Sequence, residues 1–133
     1  MTDRLFVYGT LMRNSYHALA RELKQRADYE GPARFNGRLY RVTHYPGVVA
    51  SSAPEDWVFG DVYTLRDRDL LTELDRYEGC GPDDPPPTQY LRLLQSVMLP
   101  SGPAVEAWIY IYNRPIDRLQ RIVSGRFSDA DAL

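Results

Sequence analysis

Apolar positions along this chain come in short runs, and their spacing predicts many strands and few helices. Leu5-Phe6-Val7-Tyr8 is a β-prone run that stops at Gly9-Thr10, a buried strand ending in a turn. Asn14 or Ser15 can cap a helix running to about Arg26, with Tyr16, Leu19, Ala20 and Leu23 on one face. Arg34 to Val42 alternates around Phe35, Leu39 and Tyr40, and Gly37 inside it marks a bulge or a close approach. His44-Tyr45-Pro46-Gly47 reads as a turn into the strand Val48-Val49-Ala50, and Val58 to Leu65 as a further strand with Gly60 inside it. From Asp67 to Glu78 the period changes: Leu70, Leu71, Leu74 and Tyr77 recur at helical spacing. Thr64 or Asp67 can cap that helix, and Gly79 stands where a left-handed residue is wanted at its end. Gly81-Pro82-Asp83-Asp84-Pro85-Pro86-Pro87 is a stiff loop. Tyr90 to Met98 and Ala104 to Tyr112 are strands around the turn Pro100-Ser101-Gly102. Asn113 and Pro115 then start a short helix carrying Ile116, Leu119, Ile122 and Val123, closed by Gly125.

There is no internal repeat and no linker, so residues 1–127 read as one domain and 128–133 as a frayed tail. The strands do not alternate with helices as βαβ units would. The expected fold is therefore α+β: a small mixed or antiparallel β-barrel with a few packed helices.

Composition narrows the function. A chain of 133 residues buries roughly two-thirds of its unfolded surface, enough to fold without a disulfide or a metal. The net charge of −2, with Arg and acidic residues interspersed, lacks the basic stripe of a nucleic-acid binder. Cys80 is the only cysteine, which suits a reducing compartment. No apolar run approaches the ~20 residues that span a bilayer, and the first one breaks at Gly9, too early for a signal-peptide core. A cytoplasmic protein, with neither nucleic-acid nor membrane partner, is expected.

The chemistry-bearing residues are few. His17 and His44 have no ligand-spaced partner, so no metal site is expected, and no glycine-rich phosphate loop is present. Cys80 is either a small buried hydrophobe or a nucleophile served by a histidine. Asp75 and Glu78 share a helix face, ~5–6 Å apart at the β-carbons. Two neighbours on one helix cannot flank a sugar from both sides, so a glycosidase pair is rejected. Glu78 alone sits at the negative end of its helix dipole, where a carboxylate is disfavoured and its proton affinity is raised. That placement fits either a general base or an exposed Glu tolerating a small penalty. The break at Tyr8-Gly9-Thr10-Leu11 offers either an anion-binding nest of backbone N–H groups or an ordinary turn. Tyr110 and Tyr112, on one face of a strand, suit core or pocket lining.

Taken together, these segments resemble the γ-glutamylcyclotransferase superfamily, and within it the γ-glutamylamine cyclotransferase-like branch. Leu5-Phe6-Val7-Tyr8-Gly9-Thr10-Leu11-Met12 is similar to that family's signature strand and turn. Gly37-Arg38-Leu39-Tyr40, Tyr45-Pro46-Gly47 and Gly60-Asp61-Val62-Tyr63 follow in the family's order. Leu74-Asp75-Arg76-Tyr77-Glu78-Gly79 resembles the segment that carries the catalytic Glu, and Tyr90-Leu91-Arg92 and Ala107-Trp108-Ile109-Tyr110 resemble its late strands. The resemblance implies a cofactor-free enzyme of small mixed-barrel fold. Its reaction would be attack of a γ-glutamyl amide's α-amine on the side-chain carbonyl, giving 5-oxoproline and a free amine. By similarity, Glu78 would be the general acid/base. The backbone of Tyr8, Gly9, Thr10 and Leu11 would hold the α-carboxylate region, and Tyr90 and Tyr110 would line the pocket. The segment between Gly79 and Tyr90 looks longer than the family's usual link and is expected to form one pocket wall. A non-catalytic ligand-binding module on the same fold, or a biosynthetic enzyme removing a γ-glutamyl protecting group, are the alternatives.

Overall fold

The computed structural model describes residues 2–9 and 18–127. Among the described residues, seven strands and two helices follow in the order β1 (Arg4–Val7), α1 (Ala18–Arg26), β2 (Ala27–Arg41), β3 (Pro46–Ala50), β4 (Trp57–Leu65), α2 (Asp69–Tyr77), β5 (Tyr90–Met98), β6 (Ala104–Tyr112) and β7 (Gln120–Arg121). Neighbouring strands run β1-β4-β2-β3-β6, and β1 pairs β6 in turn, so five strands close on themselves. The β1–β6 and β3–β6 pairs are parallel and the rest of the ring is antiparallel, a mixed barrel as expected. β5 lies antiparallel on β6 along its whole length and touches β2 where Met98 meets Arg34.

Alternation along the strands sorts side chains to two sides of the wall. Phe6 and Tyr8 point the same way as Phe35, Leu39, Val48, Val58, Val62, Val97 and Ile109, which form one buried cluster filling the barrel. Leu5 and Val7 face the other way and pack with Leu23 of α1 and with Leu70, Leu71 and Leu74 of α2. The apolar stripe that predicted α2 is therefore what docks it on the barrel. Asp67 accepts a hydrogen bond from the Asp69 N–H at the start of α2, while Thr64 lies within β4 and bonds Glu30 instead. Gly79, at φ +73°, ends the helix as expected.

Two expectations met a different structure. The strand placed at Arg34 to Val42 begins much earlier, at Ala27, and residues 27–36 pair with β4 before Gly37–Arg41 turn to pair with β3. Its first half has mostly exposed side chains and a register shift between Tyr29 and Gly31, so it shows no hydrophobic period. Gly37 and Gly60 mark close approaches: a Cβ at Gly60 would lie 2.1 Å from the Val7 carbonyl oxygen, and one at Gly37 2.6 Å from that of Val49. Finally, the short helix expected from Pro115 to Gly125 is not formed. The Ile122 N–H donates to the Leu39 carbonyl, and Gln120–Arg121 pair with Arg41 and Tyr40 of β2. The segment's backbone is satisfied by the barrel, and Val123, placed on a helix face by its spacing, is 80% exposed. The start of α1 near Asn14 and Ser15, and the tail 128–133, lie outside the described residues.

Candidate active site

One cavity of about 270 Å³ opens where the end of β1 meets the end of α2. Phe6 and Val7 of β1 and Tyr8 and Gly9 beyond it form one side; His44, Tyr45 and Pro46 form another. Tyr77 and Glu78 contribute from the end of α2, Gln89 and Tyr90 from the start of β5, and Tyr110 from β6. Five residues singled out in the sequence thus meet around one space: Tyr8, Gly9, Glu78, Tyr90 and Tyr110. Thr10 and Leu11 lie outside the described residues.

Glu78 is the only carboxylate among the described residues lining the cavity. It occupies the C-cap of α2, its N–H bonded to the Leu74 carbonyl, which fixes its Cα where the helix stops. The carboxyl group is pushed up from 4.5 to about 7, and the cause is burial. The direction is the one read from its place at the helix end. The dominant physical reason is instead the cost of holding a charge in a pocket walled by aromatic rings. Among the described residues no hydrogen bond or charge offsets that cost.

The tyrosines are held by specific bonds. Tyr90 donates its hydroxyl proton to the Pro46 carbonyl at 2.6 Å, Tyr110 donates to Asp75 Oδ1 at 2.7 Å, and Tyr8 donates to the Tyr110 carbonyl at 2.5 Å. Burial raises the pKa of all three, and the charge of Glu78 raises each further; for Tyr110, Asp75 adds more. These phenols stay protonated. Gly9 lies so close to Pro46 that a Cβ would come within 2.9 Å of its ring, so the turn packs directly on the cavity's floor.

The remaining candidates fall into place around this core. Asp75 does not face the cavity as a second acid: it takes a two-pronged ion pair from Arg92, Nε to Oδ1 at 2.8 Å and Nη2 to Oδ2 at 3.1 Å. Cys80 is half-buried, with its thiol pushed up to about 11 by burial first and the nearby charges of Asp75 and Glu78 next. A thiol so far from ionisation makes a poor nucleophile. His44 is exposed at the rim, its ring edge-on to Tyr45; His17 lies outside the described residues. Of the proline-rich segment, only Gln89 at its far end reaches the cavity, where its side-chain N–H donates to the Tyr45 hydroxyl at 2.9 Å. Sequence reasoning did not mark Tyr45, Pro46, Tyr77 or Gln89 as lining. The signal available was position: each is adjacent to a strand or helix end, and such ends converge at one rim of a barrel.

The chain is thus a compact α+β protein whose small mixed barrel sets an acid at a helix end in an aromatic-walled pocket, opposite the end of the first strand. Residues 5–129 match the family described as "Gamma-glutamyl cyclotransferase, AIG2-like", and the chain belongs to that family. The γ-glutamylcyclotransferase family protein YtfP of Escherichia coli K12 is 34% identical over 131 residues, covering 96% of this chain and 98% of that one. The solution structure of the Escherichia coli protein aligns with a TM-score of 0.63 over the same shares of the two chains. YkqA of Bacillus subtilis aligns with a TM-score of 0.72 at 26% identity over 96% of this chain, which spans only 40% of YkqA. An AIG2-like protein of Mus musculus shares the fold, with a TM-score of 0.67 at 24% identity, covering 85% of this chain and 80% of that one. Among the described residues no helix is long and apolar enough to cross a membrane.

Proposed function

We propose that this protein cyclises a γ-glutamyl amide, releasing 5-oxoproline and a free amine, with Glu78 as general acid/base. The observation that carries this reading is a carboxyl group, pushed up to about 7 and the only one among the described residues lining its cavity, which the end of β1 also lines. A base of that strength is far better matched to an ammonium group than an ordinary glutamate, and its conjugate acid is strong enough to protonate a departing amine.

The steps follow from proton inventory. Glu78 takes a proton from the substrate's α-ammonium, leaving a neutral amine. The amine nitrogen attacks the γ-carbonyl carbon, a C–N bond forms, and the carbonyl electrons move to oxygen. Glu78, still protonated, gives its proton to the leaving nitrogen and takes the surplus one from the attacking nitrogen; the oxyanion re-forms the carbonyl as the C–N bond to the leaving group breaks. Both surplus protons end on the leaving group, which departs as an ammonium, and Glu78 finishes ionised as it began. Ring closure is intramolecular, so the entropy of encounter is already removed and no covalent enzyme intermediate is required. In this reading the N–H groups of the turn from Tyr8 to Leu11 hold the α-carboxylate, and Tyr90 and Tyr110 shape the pocket.

Incubation with several γ-glutamyl amides, followed by assay for 5-oxoproline, tests the reaction. The same amides with the α-amine acetylated test the nucleophile. Expected are 5-oxoproline from the free amines and no cleavage of the acetylated ones. Cleavage of both at comparable rates would make water the nucleophile and the protein an amidohydrolase.

A further inference from the structure

Three of the five tyrosines that line the cavity, Tyr8, Tyr90 and Tyr110, share a property that their mere presence does not imply. Each has spent its single hydroxyl proton on an acceptor that has none to return: Tyr90 on the Pro46 carbonyl, Tyr110 on the Asp75 carboxylate, Tyr8 on the Tyr110 carbonyl. A phenol carries one donor and two lone pairs. With the donor committed, Tyr90 and Tyr110 can offer a ligand only lone pairs. For Tyr110 the commitment is enforced from behind. Asp75 is gripped by Arg92 at both oxygens, and the Arg92 guanidinium lies 4.5 Å over the Trp108 ring, so the carboxylate cannot turn away. Asp75 precedes Glu78 by three residues on the same helix, so the phenol it holds and the acid meet on one side of α2.

We infer that Tyr90 and Tyr110 form, with Glu78, an acceptor cradle for the substrate's ammonium group, and that Asp75 is the positioning residue that sets the polarity of Tyr110. This rests on the cyclotransferase reading for the identity of the ammonium, the α-ammonium of a γ-glutamyl amide. It has a consequence for the same reaction. Tyr90 and Tyr110, turned this way, cannot donate to the developing oxyanion, which leaves that charge to other donors of the cavity, the backbone N–H groups at the end of β1 among them. The cradle also places the ammonium beside the base that must deprotonate it.

The test is equilibrium binding, which needs no turnover. Wild type, Asp75→Leu and Tyr110→Phe are titrated calorimetrically with L-glutamine, the simplest γ-glutamyl amide, and with glutaramate, its counterpart lacking the amine. Wild type is expected to prefer glutamine. Both variants are expected to lose that preference roughly tenfold or more, the scale of a hydrogen bond to a charged group. The loss should come from weaker glutamine binding with glutaramate unchanged. A merely structural role for Asp75 would weaken both ligands alike and overturns the inference, as does a wild type with no preference for the amine. Thermal melts report folding; should Asp75→Leu not fold, Tyr110→Phe still decides the cradle. Preference for the amine without 5-oxoproline formation would keep the cradle and sink the cyclotransferase reading, and the converse would do the opposite.

Discussion

Gly79 adopts φ +73° immediately after Glu78, so the residue that ends helix α2 also fixes where its last side chain, the acid, projects into the cavity. A Cβ at Gly79 would touch nothing within 4 Å, so only its backbone conformation requires glycine there. Glu78 is left at a helix end, partly enclosed and, among the described residues, without a donor to its carboxylate, so its charge is a burden on the fold.

That burden has a sign that depends on pH. The folded-state value of about 7 lies above the ordinary 4.5, so the native protein holds the proton more tightly than the unfolded chain does. The contribution of Glu78 to stability should be most favourable below 4.5, fall as pH rises from there to 7, and level off above. The upper bound on the loss is about 3 kcal/mol. Glu78→Gln removes the charge with little change of shape. It is expected to melt close to wild type at pH 5 and several degrees above it at pH 8. Equal melting temperatures at both values would mean that the carboxylate is not desolvated.

Turnover should move the opposite way. If Glu78 must be ionised to accept the ammonium proton, kcat/KM should rise with pH through a limb centred near 7, the acid's own value. Glu78→Gln should abolish that limb and lower turnover by at least ~10²-fold, since positioned acid–base groups contribute ~10²–10⁴. A folded variant retaining more than about a tenth of wild-type turnover would remove Glu78 from the mechanism.

Cys80→Ala should leave turnover within about twofold of wild type, because a thiol pushed up to about 11 is un-ionised at neutral pH and the proposed chemistry uses none. Loss of activity in a folded Cys80→Ala protein would bring a thiol nucleophile back. Steady-state kinetics on both proteins at one pH suffices.

Asp56 carries a different kind of load. It is buried between β2, β3 and β7, accepting from Arg38 Nε at 2.7 Å, Ser51 Oγ at 2.7 Å and Arg121 Nη2 at 2.9 Å. These donors, Arg38 first, hold its carboxyl well below the usual range. Its contribution to stability is fully present above the ordinary aspartate value of 3.8 and drains away as pH falls below it. Asp56→Asn should melt lower than wild type at pH 7, and the gap should close on acidification. A gap independent of pH would point to packing rather than charge.

Much of this architecture was legible because its signals are local. The leucines of α2, the glycine at its end and the alternation of β5 and β6 each follow from period and turn chemistry within a dozen residues. The first half of β2 and the segment after Pro115 were not legible because their structure is set by partners far along the chain. Ala27–Arg34 is a strand because β4 supplies its hydrogen bonds, and Gln120–Arg121 because β2 does. The site divides similarly. Glu78 stood out as an acid at the wrong end of a helix, but the reason for its raised proton affinity, enclosure by Tyr8, Tyr90 and Tyr110, exists only once three distant strand ends meet. The roles of Asp75 and Arg92 depend on a contact across 17 positions that no spacing rule reports.

Gly60→Ala separates crowding from conformation. The added Cβ would come 2.1 Å from the Val7 carbonyl oxygen and 2.8 Å from Phe6 Cζ. The first is backbone and cannot swing aside, so β1 must move away from β4, breaking the register that pairs Val7 with Asp61. Val7 is also cavity lining and leads directly into Tyr8 and Gly9, so the displacement reaches the site. Overpacking typically costs ~1–3 kcal/mol, and a clash with backbone should reach or exceed the top of that range. At Gly79 the same substitution meets no atom and strains only a positive φ, at a cost of ~1–2 kcal/mol. Gly60→Ala should therefore be the more destabilised of the two by denaturant unfolding. It should also lose affinity for a γ-glutamyl amide under conditions where it remains folded. If Gly60→Ala proved the milder change, the close approach of β1 to β4 would not be what holds the cavity's wall in place.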